Sequence, residues 1–483
     1  MADLLPFQLN DPTLLHQHSL IHGHWTTAAT GQTFDVVDPG TGEVWAQCPD
    51  NGPEDVDAAV VSAHQAFLEY GALMPRKRAQ LLLSWHSKIT SARDDLAKIL
   101  TYETGKPLAE SYGESDYSLG FTWWFAGEAE RIHGSISASA TPDRRVLVIK
   151  QPLGVAVALA PWNFPIAMIL RKLGAALAAC CTMVAKPSPE SPLTCPALAD
   201  LALRAGFPPG IFNVLTTSLE KTLALSEAMC VHPLVKKVTF TGSTRLGGNC
   251  PFVIFDDADL DHAVAQLMLL KWRHAGQACI SANRVYIQAG VYDEVITLFK
   301  KQTSQFVIGH GATAGTTLGA VTVPSGLDKA EDQVEDAVSQ GASIVLGTGK
   351  RQTMNGKGYF FAPTILTGMT ASMKLSREET FGPVCGLFKF ETEEEAIKLA
   401  NDTSMGLATY VFSRDSDRLW RLFEQMEAGM IGLNTGNGGA AESPCGGIKE
   451  SGYGKESGKD VAVNEYLISK TGTLTVASSG SRI

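Results

Sequence analysis

The sequence predicts an α/β protein built from two α/β regions and a small β arm. Apolar runs of strand length alternate with helix-length segments from residue 154 onward, which indicates a parallel sheet of the nucleotide-binding type. A turn signal followed by alternating apolar residues predicts the arm. At 483 residues the chain exceeds what one hydrophobic core usually organises, so we expect at least two domains that share an interface.

The first α/β region carries four predicted strands, and helices separate them. A second region is expected from residue 251 to residue 442 by the same alternation, and residues 56–105 show the apolar spacing of two or three amphipathic helices. The predicted strands are 154–160, 182–185, 211–215 and 235–241 in the first region and 252–255, 284–288 and 409–412 in the second; the predicted helices are 171–181, 197–205 and 219–228.

Two distant segments predict the arm. Residues 134–151 contain a Pro142-Asp143 turn signal followed by alternating apolar residues, which indicates a hairpin. Residues 467–476 alternate like an edge strand, which could pair with the hairpin arm of a neighbouring subunit. A homo-oligomer, either a dimer or a tetramer, is therefore predicted.

Composition and charge exclude several classes of partner. The chain has 40 Lys and Arg against 50 Asp and Glu, a formal charge of −10, with no basic cluster that would suit nucleic acid or an anionic membrane. No apolar stretch reaches the roughly 20 residues of a bilayer span, and the amino terminus lacks the basic start of a secretory signal. Nine irregularly spaced cysteines favour a reducing, cytoplasmic environment.

Two residues have the chemistry of a covalent catalytic site. Cys279 ends the glycine-led stretch 276–279, and a thiol in such a loop attacks carbonyl groups once it is ionised. Asn163 lies in the turn 161–165, directly after the first predicted strand, where its amide could hold an oxyanion. Taken singly, each has a structural alternative: a buried thiol, and a turn that its own Asn caps.

Three further segments follow strands or turns and offer polar contacts for a nucleotide. Residues 186–188 read Lys-Pro-Ser, residues 242–244 read Gly-Ser-Thr, and residues 379–383 read Glu-Thr-Phe-Gly-Pro. Ribose hydroxyls and a pyrophosphate could bind at these strand ends, although no GxGxxG stands where a Rossmann fingerprint would need it. The structural alternative is that Lys186 and Glu379 are solvated surface charges and Ser243 a helix cap.

Together these motifs resemble the aldehyde dehydrogenase superfamily, and more narrowly its succinate-semialdehyde dehydrogenase branch. The resemblance runs from about residue 21 to residue 471 and implies an aldehyde dehydrogenase-like α/β fold. It implies a cofactor-binding domain at residues 13–131 and 151–246, a catalytic domain at 247–457, and an oligomerisation arm at 132–150 and 458–477. The matching stretches are PWNFPIAMILRKLGAALAACCTMVAKP, AGFPPGIFNVL, VTFTGST, PFVIFDDADLD, AGQACISANR, EETFGPV and CGGIKESGYG.

The resemblance also implies an activity and a set of site residues. A semialdehyde-like aldehyde would be oxidised to a carboxylic acid with NAD or NADP through a thioester on Cys279, and Asn163 with the Cys279 backbone amide would form the oxyanion hole. Arg171 and Arg273 would bind the distal carboxylate of the substrate. No metal ion is implied. The implied cofactor contacts are Trp162, Lys186, Ser188, Gly242, Ser243, Glu379 and Phe381, with Lys186 and Glu379 at the riboses and Ser243 at the pyrophosphate.

Three positions depart from the family pattern. Gly439 or Ala440 stands where the branch carries a serine that supports the substrate carboxylate, so the substrate could differ. Ser281 replaces a cysteine that some members use as a redox partner. Pro189 stands where NAD-preferring members often have a glutamate against the 2′-hydroxyl, and NADP could then be accepted with Lys186 and Ser188 as phosphate partners.

A fourth departure removes the family's general base. Residues 242–245 run directly into the Leu-Gly-Gly of residues 246–248, so the cofactor domain is truncated after Thr244 and a helix, a strand and a glutamate are missing by family pattern. Loss of a general base slows turnover by about two to four orders of magnitude if nothing replaces it. Three interpretations follow: a working dehydrogenase in which another carboxylate or a water acts as base, a non-catalytic binding or structural subunit, or a defective gene model or splice form.

Overall fold

The computed structural model describes residues 6–242, 247–436 and 439–476. The described part up to residue 242 begins with short strands and long helices and continues as βα units. Its elements are β1 (Ser19–Ile21), β2 (His24–Thr26), β3 (Thr33–Asp38), β4 (Glu43–Pro49), α1 (Pro53–Tyr70), α2 (Pro75–Ser91), α3 (Arg93–Thr104), α4 (Leu108–Ala129), β5 (Ser135–Ala138), β6 (Arg144–Pro152), β7 (Val155–Leu159), α5 (Pro165–Ala178), β8 (Thr182–Lys186), α6 (Thr194–Arg204), β9 (Phe212–Val214), α7 (Leu219–Val231) and β10 (Val235–Phe240).

The described residues from 247 onward form a second set of alternating strands and helices. Its elements are β11 (Cys250–Ile254), α8 (Leu260–Trp272), β12 (Ala282–Gln288), α9 (Tyr292–Thr303), α10 (Pro324–Ser339), β13 (Ser343–Leu346), β14 (Arg351–Met354), β15 (Lys357–Phe361), β16 (Thr364–Thr367), α11 (Lys374–Arg377), β17 (Val384–Phe390), α12 (Glu393–Asn401), β18 (Met405–Gly406), β19 (Ala408–Phe412), α13 (Ser416–Gln425), β20 (Met430–Leu433), β21 (Ile448–Lys449), α14 (Val461–Asn464) and β22 (Leu467–Thr475).

The first sheet has six strands in the order β10-β7-β8-β9-β1-β2. Strands β10, β7, β8 and β9 are parallel, as the βα alternation predicts, and the antiparallel pair β1 and β2 extends the sheet on the far side. Helix α5 begins at Pro165, six residues before the expected start at Arg171, because proline suits the first turn of a helix. Every residue of α5 is buried, as expected for a helix that is apolar on nearly all sides.

The second sheet has seven strands in the order β13-β16-β17-β12-β11-β19-β20, and all its pairs are parallel except β13 with β16. Residues 241–249 connect the two sheets, running from β10 to β11. Strand β10 forms the edge of the first sheet and leaves Phe240 49% exposed. β10 is thus an edge strand that ends in a partly exposed Phe240.

The arm is a three-stranded antiparallel sheet in the order β22-β6-β5. β22 pairs with β6 of its own chain, from Leu467 opposite Pro152 to Thr475 opposite Arg144, and forms an edge of this sheet. Pairing with the arm of a neighbouring subunit stays a prediction. The backbone N–H of Leu153 donates to the carbonyl of Tyr466 at 3.0 Å, which aligns the two strands from their first residues. The domain boundaries given above stay a prediction.

The sequence predicted reduced cysteines and no segment that spans a membrane. All nine cysteines lie in described residues and are free thiols. Within the described ranges, no helix is both long enough and apolar enough to cross a bilayer.

A buried ion pair ties helices α3 and α4 to the turn after β7. The ammonium of Lys106 pairs with Glu114, and both side chains are almost completely excluded from solvent. Lys106 Nζ also donates to the carbonyl of Asn163 at 2.8 Å, while Glu114 Oε1 accepts from the backbone N–H of Ile166 at 2.9 Å. One cation and one carboxylate thus fix both sides of the turn that precedes α5.

Replacing Lys106 with Met is expected to destabilise the protein by about 3–5 kcal/mol, because Glu114 would stay buried without a counter-charge. The matched control is Lys98→Met, which removes the partly exposed partner of Asp94 and is expected to cost less than about 1 kcal/mol. Urea unfolding followed by tryptophan fluorescence measures both. Equal midpoints for the two variants would contradict a structural role for the buried pair.

Candidate active site

The turn at residues 161–165 lies at the carboxyl end of β7, in the central part of the first sheet. Its backbone is held to the next strand because the N–H of Ala160 donates to the carbonyl of Lys186 at 3.1 Å. Asn163 is 3% exposed, and its Nδ2 donates to the carbonyl of Gln277 at 3.1 Å. A primary amide carries two N–H groups, so one remains for an acceptor placed beside the turn.

The segment before Cys279 has an unusual backbone. His274 and Ala275 have φ values of 50° and 52°, and Gly276 follows with a φ of 77°, so three successive residues lie in the left-handed region. The N–H of His274 donates to Glu110 Oε2 at 2.7 Å, and Gln277 Oε1 accepts from the N–H of Thr322 at 2.9 Å. These contacts hold a strained loop and present Cys279 at its end.

Cys279 is partly exposed, and several charges act on its thiol. Burial of the surrounding site, together with the nearby Glu379 carboxylate, raises the pKa of the Cys279 thiol to about 12, while the Arg171 guanidinium lowers it. At neutral pH the thiol therefore carries its proton. Nucleophilic attack by Cys279 needs either a base or an added positive charge.

The loop after α11 forms the third side of the site. Glu379 is 7% exposed, and burial raises the pKa of its carboxyl to about 8. Its Oε1 accepts from the N–H of Gly248 at 3.1 Å, whereas its Oε2 is buried with no hydrogen-bond partner in the described chain. Phe381 has its ring edge-on to Trp162 at 5.4 Å, so this loop and the turn after β7 are in contact.

The predicted nucleotide contacts on the first sheet lie at two strand ends. Lys186 is 5% exposed, and burial lowers the pKa of its ammonium to about 8. Its Nζ donates to Thr222 Oγ1 of α7 at 3.3 Å, and Ser188 donates its hydroxyl to Glu190. The alternative that Lys186 and Glu379 are solvated surface charges is therefore wrong.

Gly242 follows the end of β10, where the N–H of Thr241 donates to the carbonyl of Leu159 at 3.1 Å. The ends of β10 and β7 therefore adjoin. Ser243 and Thr244 lie outside the described residues, so the structure gives no position for the predicted pyrophosphate contact.

The two arginines expected at the substrate have different surroundings. Arg171 is buried in the middle of α5, donates Nη2 to the Tyr117 hydroxyl at 3.0 Å and Nη1 to Cys445 Sγ at 3.2 Å, and leaves Nε without a partner in the described residues. It also acts electrostatically on Cys279. Arg273 is half-buried over the ring of Phe164, 4.9 Å from its centroid. Arg171 therefore lies inside α5, which begins at Pro165.

Several residues of the site carry no local sequence signal. Lys106 and Glu114 fix the Asn163 turn from α3 and α4, and Tyr117 lies beside Gly439, where an added Cβ would be 3.0 Å from the Tyr117 hydroxyl. Glu456 pairs with Lys172 and, at 3.8 Å, with Arg171. All these contacts join residues far apart in the chain, so periodicity and spacing cannot reveal them.

The chain is similar to known proteins over most of its length. The aldehyde dehydrogenase family model matches residues 25–471. Two curated relatives are the succinate-semialdehyde dehydrogenase [NADP(+)] of Escherichia coli, 43% identical over 95% of this chain and 98% of the relative, and the 3-sulfolactaldehyde dehydrogenase of Pseudomonas putida, 42% identical over 95% and 97%. A glutarate-semialdehyde dehydrogenase of Pseudomonas aeruginosa is 43% identical over 95% of this chain and 98% of its own length.

Solved structures agree with these relatives. An NADP-dependent enzyme of E. coli has a TM-score of 0.94 at 42% identity and covers 97% of this chain and 100% of its own. A betaine aldehyde dehydrogenase of Staphylococcus aureus, solved with NAD+, has a TM-score of 0.91 at 33% identity and covers 97% and 99%. These neighbours confirm the predicted fold class, and the relatives confirm NAD or NADP as the cofactors of the group. The chain belongs to the aldehyde dehydrogenase family.

Proposed function

We propose that this chain oxidises a semialdehyde-like aldehyde to the carboxylic acid, with NAD or NADP as oxidant and Cys279 as nucleophile. One contact carries most weight: the buried Asn163 amide donates to the backbone carbonyl of Gln277, two residues before Cys279. A nucleophile and a neutral N–H donor held by the same loop suit addition to a carbonyl group, because the donor stabilises the oxyanion that forms.

The residues present also suit a dinucleotide. Buried Lys186 has one hydroxyl contact, and Glu379 keeps an unpartnered carboxylate oxygen, so both have capacity left for ribose hydroxyls. When bound, the nicotinamide accepts the hydride. The Cys279 thiolate attacks the aldehyde carbon, and the free N–H of Asn163 with the Cys279 amide holds the oxygen. After the oxidation, water hydrolyses the resulting thioester.

An anionic substrate fits the neighbourhood of Arg171. A buried guanidinium with an unpartnered Nε is a site for a carboxylate or sulfonate, since charge-assisted hydrogen bonds to such groups are strong. The named relatives act on succinate semialdehyde, glutarate semialdehyde and 3-sulfolactaldehyde, which are aldehydes with an anionic end. Gly439 is one of the two positions at which the branch carries a serine that supports the substrate carboxylate. The Tyr117 hydroxyl lies beside Gly439 and could take the place of that serine.

NAD is the preferred cofactor in this proposal. Glu190 accepts from the Ser188 hydroxyl and interacts electrostatically with Lys186, which leaves a carboxylate beside both predicted phosphate partners. A 2′-phosphate would be repelled by that carboxylate. The family's glutamate is replaced by Pro189 in this chain, but Glu190, the next residue, supplies a carboxylate in the same region.

A second candidate is a catalytically impaired member of the family. Its support is the sequence between β10 and β11: the nine residues 241–249 are too few for the helix and strand that the family pattern places there. The alignment with the E. coli relative is 479 positions long, yet it covers only 95% of the 483 residues of this chain. Some aligned positions are therefore gaps in this chain, where the relative has residues that this chain lacks. An impaired enzyme would form the thioester and release it slowly.

A rapid-mixing assay with succinate semialdehyde and NAD tests the function itself. We expect a burst of about one NADH per active site, since acylation and hydride transfer precede hydrolysis. Cys279→Ser should abolish the burst, and Cys230→Ser, which changes a distant partly exposed thiol, should preserve it. Absence of NADH with succinate semialdehyde, glutarate semialdehyde and propanal would contradict the proposal, and a burst without turnover would favour the impaired enzyme.

Arg171→Lys tests the anion contact. The lysine keeps the charge but loses the forked donors, so we expect kcat/KM for succinate semialdehyde to fall about ten- to a hundredfold. Propanal has no distal anion and serves as the control within the same variant, with a change of less than about threefold expected. Equal losses for the two aldehydes would show that Arg171 supports the fold and not substrate binding.

Glu190→Gln tests the cofactor preference. Removing the carboxylate is expected to raise the ratio of kcat/KM for NADP to that for NAD by roughly tenfold, because the repulsion of the 2′-phosphate disappears. Glu227→Gln on the exposed side of α7 is the matched control and should leave the ratio unchanged. A ratio unaffected by Glu190→Gln would contradict the role given to Glu190.

A further inference from the structure

The guanidinium of Arg171 has two sides, and different groups face them. Its Nη1 donates to Cys445 Sγ at 3.2 Å and lies 3.8 Å from Glu456 Oε2. Its Nη2 donates to the Tyr117 hydroxyl at 3.0 Å, and its buried Nε has no hydrogen-bond partner in the described residues. Because the N–H groups of Nε and Nη2 point to the same side of the planar group, the unpartnered donor and the tyrosine belong to one side.

Two other arginines of this chain show how that side binds a carboxylate. Arg421 donates Nε and Nη2 to the two oxygens of Glu393 at 2.8 Å and 2.9 Å, and Arg93 donates the same pair to Asp116 at 2.5 Å and 2.6 Å. Such parallel pairs are the strong form of arginine–carboxylate contact. Arg171 presents the same two nitrogens, and within the described ranges its Nε still lacks an acceptor.

The opposite side of Arg171 does not suit an added anion. Glu456 lies there and also pairs with Lys172. Although burial acts to raise it, the charges of Lys172 and Arg171 hold the pKa of the Glu456 carboxyl below its usual value, so this group is ionised. A second carboxylate at Nη1 would be repelled by it. An anionic ligand is therefore directed to Nε and Nη2, beside Tyr117.

Tyr117 has a donor to contribute on that side. Its oxygen accepts from Arg171, and its own O–H has no acceptor in the part of the chain that the structure describes. Its ring stands edge-on to Phe121, with centroids 5.2 Å apart, and the Arg171 guanidinium lies over the same Phe121 ring at 5.0 Å. Phe121 thus aligns both donors. A hydroxyl that accepts from a cation is polarised and donates its own proton more strongly.

Gly439 leaves room for this hydroxyl. A Cβ at residue 439 would lie 3.0 Å from the Tyr117 oxygen, closer than ordinary van der Waals contact. The branch pattern places a serine at residue 439 or 440 to support the substrate carboxylate, and here a hydroxyl reaches the same place from helix α4. The glycine and the tyrosine are therefore complementary.

We propose that Tyr117 is a substrate-binding residue, whose hydroxyl joins Nε and Nη2 of Arg171 in holding the distal anion of the aldehyde. This inference rests on the proposed dehydrogenase function and deepens it. Three donors on one side suit a carboxylate or a sulfonate, and they have no favourable partner in an alkyl end. Tyr117 thereby selects aldehydes that carry an anion.

The position of Arg171 on α5 suits this arrangement. Arg171 lies within the first two turns of the helix, which begins directly after the turn that carries Asn163. One helix therefore positions the donor for the aldehyde oxygen at its start and the donors for the distal anion farther along.

Tyr117→Phe removes the hydroxyl and keeps the ring. With NAD as cofactor, kcat/KM for succinate semialdehyde is expected to fall about ten- to fiftyfold, mainly through KM, because a hydrogen bond to a charged group is lost. Butanal has four carbons and no carboxylate, and its kcat/KM should change by less than about twofold. Tyr453→Phe, which removes a fully exposed hydroxyl, is the matched control and should leave both substrates unchanged.

Moving the hydroxyl tests whether it touches the substrate. In Tyr117→Phe/Gly439→Ser the serine can occupy the space that the phenol oxygen leaves, so we expect kcat/KM for succinate semialdehyde to recover by about fivefold and that for butanal to stay constant. Absence of recovery would show that Tyr117 only orients Arg171 and would overturn the substrate contact. Equal losses for the two aldehydes in Tyr117→Phe, or no loss, would overturn it as well.

A titration without turnover separates this inference from the dehydrogenase function. Succinate carries the same distal carboxylate, and its Kd is measured by calorimetry for Cys279→Ser and for Cys279→Ser/Tyr117→Phe, where a rise of about tenfold is expected. If this rise occurs while the unmodified protein forms no NADH, the anion site stands and the dehydrogenase function fails. If NADH forms and the two Kd values are equal, the role of Tyr117 fails alone.

Discussion

The site depends on one constraint: the partly buried Cys279 thiol, at the junction of two sheets, has lost much of the solvent that would stabilise its ionised form. Burial keeps the Cys279 proton in place, and the nearby Glu379 carboxylate has the same effect on the thiol pKa. Reactivity therefore has to be supplied at the moment of attack, by a base that takes the proton and by donors that hold the developing oxyanion. Asn163 in the turn after β7 offers such a donor beside the Cys279 loop.

Two buried charge networks fix the loops on either side. Lys106 and Glu114 bond the carbonyl of Asn163 and the N–H of Ile166, which sets the turn after β7. On the other side Lys172 and Arg171 surround Glu456. Buried ions of this kind cost desolvation energy and are retained where position matters, so their concentration around the turn and α5 agrees with a site that must be held rigidly.

The passage from β10 to β11 explains the setting of Glu379. Gly247 and Gly248 have no side chains, so the Glu379 carboxylate can lie beside Gly247 and accept from the N–H of Gly248, while the Cys279 carbonyl packs against Gly248. A carboxylate expected at a ribose is thereby held against the nucleophile loop. The same short passage leaves β10 as an edge strand, so one feature of the chain shapes both the sheet and the electrostatics of the thiol.

Local patterns determined much of the fold. The strands β7, β8, β9 and β10, the parallel order of the first sheet and the hairpin of the arm follow from periodicity and turn residues, which are short-range properties. The start of α5 was misplaced because its first turn contains Pro165, and the pairing of β22 with β6 of the same chain was not predicted because strand pairing depends on where distant segments meet.

For the site as well, local motifs identified some features and tertiary contacts determined the others. Motifs in the sequence were sufficient to nominate Cys279, Asn163, Lys186 and Glu379, since each stands at a strand end or in a glycine turn. Tertiary structure alone decided that Lys186 and Glu379 are buried, that Glu190 takes the hydroxyl of Ser188, and that Glu456 is neutralised by Lys172. Burial and charge pairing are properties of residues distant in the chain, and they control pKa values, so the sequence determined which groups are present and the fold decided which of them can act as acid, base or donor.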